Sequence, residues 1–238
     1  MKLKKIASLM LAGVMAVSML AGCQTTSNGN DQPNQPDEPT TPAGYSAKLQ
    51  SELSAISQSK LKLSDSSELN TALEYAVGNI GNDSLTAGFL YTATNGGNVY
   101  YVPSNVGYAS IERVVNDVRN ALDVNSDLTW HHDVKSSILM LNPDDDSKAY
   151  DYDKDDVNTV VIFAVNDGVD LNNVMDNIAS QIDSAIQELD DDYDINNDGT
   201  GDVNYSYTGS VATCNKNFEA GHGMGLNFVA VELVRHIG

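Results

Sequence analysis

Residues 171–189 read LNNVMDNIASQIDSAIQEL. Leu171, Val174, Met175, Ile178, Ile182, Ala185, Ile186 and Leu189 recur at the three-and-four spacing of an α-helix and make one continuous apolar stripe. Asp170 stands where a side chain can cap the first turn. At 1.5 Å per residue such a helix is about 28 Å long. Its flanks supply what it has to cover. Val157 to Val165 is an unbroken β-prone run upstream, and Val203–Thr213 and Leu226–Arg235 are two more downstream, with no helical pattern between them. Strands joined without an intervening helix pair antiparallel.

The earlier part of the chain adds shorter elements. Tyr45, Leu49, Leu53 and Ile56 mark one face of a short helix. Asp65 and Glu68 have capping-box spacing ahead of Leu69, Ala72, Leu73, Ala76, Val77 and Ile80, a second helical stripe. Phe89–Thr92 and Val99–Val102 flank Asn95-Gly96-Gly97, which reads as a hairpin. A third helix follows Ser110, with Ile111, Val114, Val115, Val118, Ala121 and Leu122 on one side. Ile138–Leu141 is expected to be a strand, and the aspartate-rich run Asp144–Asp156 a solvated loop. The pattern predicts a single α+β domain over 45–238, a mainly antiparallel sheet covered by amphipathic helices. The similarity of residues 112–118 to residues 172–178, each in a helix expected to precede two strands, hints at an internal duplication.

Residues 1–22 have the organisation of an export signal. Lys2, Lys4 and Lys5 precede an apolar run from Ile6 to Leu20, and small residues lead to Cys23. The run is shorter than the roughly 20 apolar residues a bilayer span needs. Leu20-Ala21-Gly22-Cys23 resembles the lipobox of bacterial lipoproteins. That resemblance implies a diacylglycerol on the Cys23 thiol, cleavage just before it, and a protein held on the outer side of a cell membrane by its acyl chains. Residues 23–44 then form a polar, disordered spacer in which Pro33, Pro36, Pro39 and Pro42 follow the three-residue period of a polyproline II helix. At about 3.1 Å per residue it would hold a domain up to roughly 60 Å from its anchor.

Removing the signal takes three lysines and no acid, so the formal charge moves from −20 to −23. A field of that sign repels phosphate backbones and anionic headgroups, which argues against nucleic acid and against charge-driven membrane binding. The same field attracts cations. With Cys23 acylated, Cys214 has no partner within the chain, and the domain rests on its core rather than on a disulfide framework. Cys214 reads as a small hydrophobe.

The most specific chemical pattern is Asp194, Asn196, Asp198, Thr200 and Asp202, with Gly199 among them. Oxygen side chains at alternate positions can converge on one cation, and a glycine permits the sharp turn that wraps the chain around it. The stretch is similar to the aspartate-rich calcium loops of thrombospondin type 3 repeats and to the first half of an EF-hand or dockerin loop. Tyr205 stands where the EF-hand places its bidentate glutamate. The resemblance implies a Ca²⁺ site of modest affinity. The same residues also suit a plain turn from helix to strand.

Other residues point less sharply. His131-His132-Asp133 could seed a transition-metal site with His222, although the spacing is not that of a known ligand set. Trp130 suits either ligand stacking or a core position. Gly-x-Ser-x-Gly, His-Glu-x-x-His and phosphate-loop patterns are absent from the sequence.

Lys60–Ala72, with Val106–Val115, His132 and Ile138-Leu139 later in the chain, resembles parts of CAP (SCP-like) domains. No histidine precedes His131 and no Gly-Glu-Asn motif is present, so that family's cavity would be largely dismantled here. The resulting expectation is a surface-tethered lipoprotein with a non-enzymatic domain that binds an envelope component or protein partner. The alternative is a degenerate CAP-like protein or an envelope-acting hydrolase. A two-lobed solute-binding protein would require a longer chain.

Overall fold

The computed structural model describes residues 44–81, 84–104, 109–124, 133–143, 156–194, 203–218 and 224–238. Ala43–Gly238 forms one compact unit. Its helices are α1 (Tyr45–Glu52), α2 (Ala55–Lys60), α3 (Ser67–Gly78), α4 (Ser84–Ala93), α5 (Ala109–Ala121), α6 (Val134–Leu139) and α7 (Leu171–Gln187). Its strands are β1 (Leu61–Leu63), β2 (Tyr100–Tyr101), β3 (Val157–Asn166), β4 (Asp192–Tyr193), β5 (Val203–Phe218) and β6 (Met224–Ile237). The fold is α+β, and the sheet runs β1-β5-β6-β3-β2 with β4 paired onto the start of β5. Every pairing is antiparallel except β1 on β5.

The centre of the sheet is built from the longest ladders. β6 pairs with β5 from Tyr205↔Ile237 to Phe218↔Met224, and with β3 from Val157↔Arg235 to Asn166↔Leu226. Helices cover both faces, so a strand such as β3 buries both sets of its alternating side chains and reads as a continuous apolar run. On one face Val161, Phe163, Val229, Val231 and Leu233 pack with Val174, Met175, Ile178, Ile182 and Ile186 of α7 and with Leu49 of α1. On the other, Val160, Ile162, Phe228 and Ala230 pack with Leu73 and Val77 of α3, Leu90 of α4, and Val114 and Val118 of α5. The stripe of α7 is buried as its spacing requires, and Asp170 caps the helix by accepting the Asn172 N–H.

Four local expectations are corrected. Residues 84–93 are helix α4 and residues 95–97 a 3₁₀ turn, where a hairpin was expected. Buried Ala87, Leu90 and Thr94 lie on one helical side while Tyr91 is exposed, so packing overrides the β-propensity of Phe89–Thr92. Gly96 and Gly97, at φ of 70° and 82°, make the turn into β2 instead. Residues 138–141 do not form a strand. Val134, Ile138 and Leu141 are buried at helical spacing, and Asp133 caps α6 by accepting the Ser136 N–H. The second helix is capped by Ser66, which accepts the Leu69 N–H, and not by Asp65. The first helical face is broken at Ser54, which caps α2 and leaves Ile56 exposed. The suggested duplication also fails: α5 is followed by helix α6 and by β3, whereas α7 leads to β5 and β6, and the two helices cover opposite faces.

Candidate functional site

The polar chemistry of the described residues gathers at the end of the sheet where β6 finishes. β3 starts beside that end, with Val157 opposite Arg235, and β5 starts on its other side, with Tyr205 opposite Ile237. Backbone and side-chain bonds tie the three together. The Ile237 N–H reaches Asp156 Oδ1 at 3.3 Å, and the Gly238 N–H donates to the Asn204 carbonyl at 2.8 Å. Both aspartate-rich connections of the sequence, 144–155 and 195–202, therefore rejoin described structure on the two flanks of one strand end. The second is closed at its mouth by the antiparallel pairs Asp192↔Asn204 and Tyr193↔Val203.

On one face of this end three side chains stand in series. His236 Nδ1 lies 3.0 Å from Asp156 Oδ2, and His236 Nε2 lies 2.7 Å from Thr208 Oγ1. The register creates the arrangement: Thr208 pairs with Val234, two residues before His236, and Asp156 directly precedes Val157, the partner of Arg235. An ionised carboxylate only accepts hydrogen bonds, so Nδ1 donates to Asp156; in the neutral ring Nε2 then accepts from the threonine hydroxyl, and in the imidazolium it donates to it. The series can move a proton from hydroxyl to imidazole while the carboxylate holds the ring.

Farther along the same face, Glu232 accepts from Ser210 Oγ at 3.2 Å. Burial pushes its carboxyl above the usual glutamate range, the Ser210 bond opposes that, and the Glu68 carboxylate adds to it. The opposite face carries a buried cation. Arg235 is wholly buried, donates through Nη1 to the Leu141 carbonyl at 2.7 Å, and places its guanidinium 4.4 Å from the Tyr205 ring centroid. Tyr207 donates to the Asp190 carbonyl at 2.6 Å, and burial drives its hydroxyl pKa far up, with Arg235 opposing. Burial also raises the Asp190 carboxyl, against the pull of Lys60 and Arg235. Lys60 donates to the Leu189 carbonyl and pairs with Asp191 at 3.1 Å, placing a cation at the C-terminal end of α7 where the helix dipole favours it.

An open groove of about 470 Å³ lies elsewhere, along the β2 edge, lined by Val99, Tyr100, Tyr101, Asp133, Lys135 and Gln181. The Tyr101 hydroxyl is engaged there with Ser137 Oγ at 2.9 Å. Among the described residues no group of three or more His, Cys, Asp or Glu side chains is arranged to hold a metal ion, and no helix is long and apolar enough to cross a membrane.

No protein-family model, no curated protein and no solved structure matches this chain.

Of the expected calcium residues, Asp194 is described, half-buried directly after β4. Asn196, Asp198, Thr200 and Asp202 lie outside the described residues, as do Cys23, Trp130, His131, His132, His222 and the aspartates from 144 to 155. Cys214 is half-buried beside the core, its thiol pKa raised by burial, which agrees with its reading as a small hydrophobe. The relay of Asp156, His236 and Thr208 escaped the sequence reading because its members are far apart in the chain. Only the β3–β6–β5 register brings them together.

Proposed function

We propose that this chain is a lipid-anchored bacterial surface protein whose extracytoplasmic domain works as a binding module, with Cys23 carrying the anchor and Ca²⁺ ordering its acidic end. The observation that carries the calcium part is the closure of the 194–202 connection by the pairs Asp192↔Asn204 and Tyr193↔Val203. Pinning both ends removes much of the entropy that five oxygen donors would otherwise lose on converging. Neutralising their mutual repulsion would then stiffen the passage from α7 into β5. The binding reading is supported by the doubly covered sheet and by the open groove along β2, lined by Tyr100, Tyr101, Asp133 and Lys135.

The test is thermal unfolding of the purified protein with added Ca²⁺ or Mg²⁺. Binding to the folded state alone at 100-fold over Kd adds about 2.7 kcal/mol. For a domain of this size that raises Tm by about 5–11 °C. Calcium should give this rise and magnesium only the smaller effect of screening, since the looser oxygen cage suits the larger ion. Asp198→Ala should remove the calcium-specific part. Equal shifts with both ions, or a calcium shift retained in Asp198→Ala, would leave the plain turn.

A further inference from the structure

We propose that Thr208 is an acyl-acceptor residue, activated by His236 and Asp156, that takes acyl groups from activated carboxylic esters. The inference rests on the relay alone and is independent of calcium and of the lipid anchor.

Three features separate the relay from an ordinary cross-strand contact. The first is which ring nitrogen meets which partner. The carboxylate faces Nδ1 at 3.0 Å and the hydroxyl faces Nε2 at 2.7 Å, so one tautomer satisfies both bonds and leaves the basic lone pair on the nucleophile's side. The second is that the orienting group is itself fixed. Asp156 Oδ1 accepts the Ile237 N–H at 3.3 Å, which leaves Oδ2 for the imidazole. The third is access. Thr208 is exposed, and the His236 and Asp156 side chains are 36% and 57% exposed, so an ester reaches the hydroxyl without any opening of the fold.

The backbone holds this geometry firmly. Thr208 lies within the β5–β6 ladder and is also the register partner of Lys62 in β1. His236 belongs to β6, bonded on both sides, and Asp156 is one residue from the first β3–β6 pair. Two of the three side chains thus sit on paired strands and the third directly beside one, which keeps their spacing better than loop positions would.

The step balances without a further reagent. The Thr208 hydroxyl proton passes to His236 Nε2 as Oγ1 bonds to the acyl carbon. The carbon–oxygen bond to the leaving group then breaks, and the departing oxygen takes the proton back from the imidazolium. The products are an acyl-threonine ester and the free alcohol or phenol. Because Thr208 stands at the surface, water and not a dry cavity surrounds the developing oxyanion, and electrostatic stabilisation is correspondingly small. That restricts the donors to esters whose leaving group is already good.

The experiment uses the purified protein and p-nitrophenyl acetate. Phenolate release is followed by absorbance, and the acetylated peptide is located by mass spectrometry after digestion. The expected result is acetyl on the peptide carrying Thr208. It should be retained in Thr208→Ser, absent in Thr208→Val, and formed at least ten-fold more slowly in His236→Gln and Asp156→Asn. Thr208→Val should keep the wild-type melting temperature, since the position is exposed and the shape nearly conserved. Acetyl found only on lysines, or labelling at Thr208 unchanged by His236→Gln, would overturn the proposal and leave the relay as a strand clamp.

Discussion

Arg235 lies over Tyr205, its guanidinium 4.4 Å from the ring centroid, although its direct cross-strand partner is Tyr207. The contact is diagonal across the β5–β6 pair, a spacing that a long planar side chain can bridge. It is also sealed from water, because Arg235 has no exposed surface and Tyr205 is 9% exposed. A desolvated cation over an aromatic face is worth about 2 kcal/mol, against about half of that at an exposed site.

Arg235→Lys should therefore be costly although it conserves charge. A lysine ammonium cannot stack on Tyr205 as a plane or keep the same reach to the Leu141 carbonyl. A loss of about 1–2 kcal/mol is expected. Urea unfolding of the two proteins measures it, and an unchanged midpoint would mean that the stack contributes nothing.

Gly209→Ala should weaken the junction of three strands. A Cβ at this position would lie 2.4 Å from the Glu232 carbonyl oxygen and 3.0 Å from both Leu63 and Leu233 side chains. The nearest neighbour is backbone and cannot rotate away, so β5 and β6 must part. Overpacking of this kind costs about 1–3 kcal/mol. The same residue's carbonyl accepts the Ser64 N–H at 2.9 Å, so hydrogen exchange at Ser64 should speed up in the variant.

Glu232→Gln should stabilise the protein at neutral pH and not in acid. Burial holds the folded carboxyl above its unfolded value, so the folded state binds this proton more tightly than the unfolded chain. Stability is therefore lost as pH rises from the unfolded value, about 4.3, through the folded one. Glutamine keeps an oxygen for Ser210 and has no proton to lose. Melting temperatures at about pH 7 and about pH 3.5 test this, with the variant ahead at the first and level with the parent at the second. A constant difference at both would place the effect in packing.

Cys23→Ala should leave the precursor uncleaved or release it from membranes, since the lipobox reading gives the protein its anchor through that thiol alone. Detergent phase partitioning of cell fractions distinguishes the outcomes. Unchanged membrane retention in the variant would remove the lipoprotein reading.

How far the sequence could be read depends on where each element's determinants lie. α7 and β3 were legible because the whole determinant is local: a stripe at helical spacing, and an apolar run wide enough to be buried on both sides. The β1 strand was not, because Leu61–Leu63 is held by partners its own sequence does not show, the parallel pairing with residues 207–209 and the Gln50 side chain, which bonds the Leu61 carbonyl and the Leu63 N–H. Phe89–Thr92 and Ile138–Leu141 misled because short apolar runs satisfy strand and helix periods alike, and the neighbours that decide between them are distant in sequence. The relay was hidden for the same reason. Thr208 and Asp156 carry no motif, and His236 is an isolated histidine until β6 is placed between β5 and β3.

The position of β6 has a consequence for how the chain is made. It is the last of the described strands in synthesis order, yet it is the plank to which β3 and β5 are both nailed. Until its residues emerge, β3 has among the described strands no partner but the two-residue β2, and β5 has only the short β1 and β4. The sheet of the described residues thus lacks its central strand until residues 224–237 have been made. If the chain is exported as proposed, it has to reach a narrow channel unfolded, and this order of strands would favour that for as long as β6 is unmade.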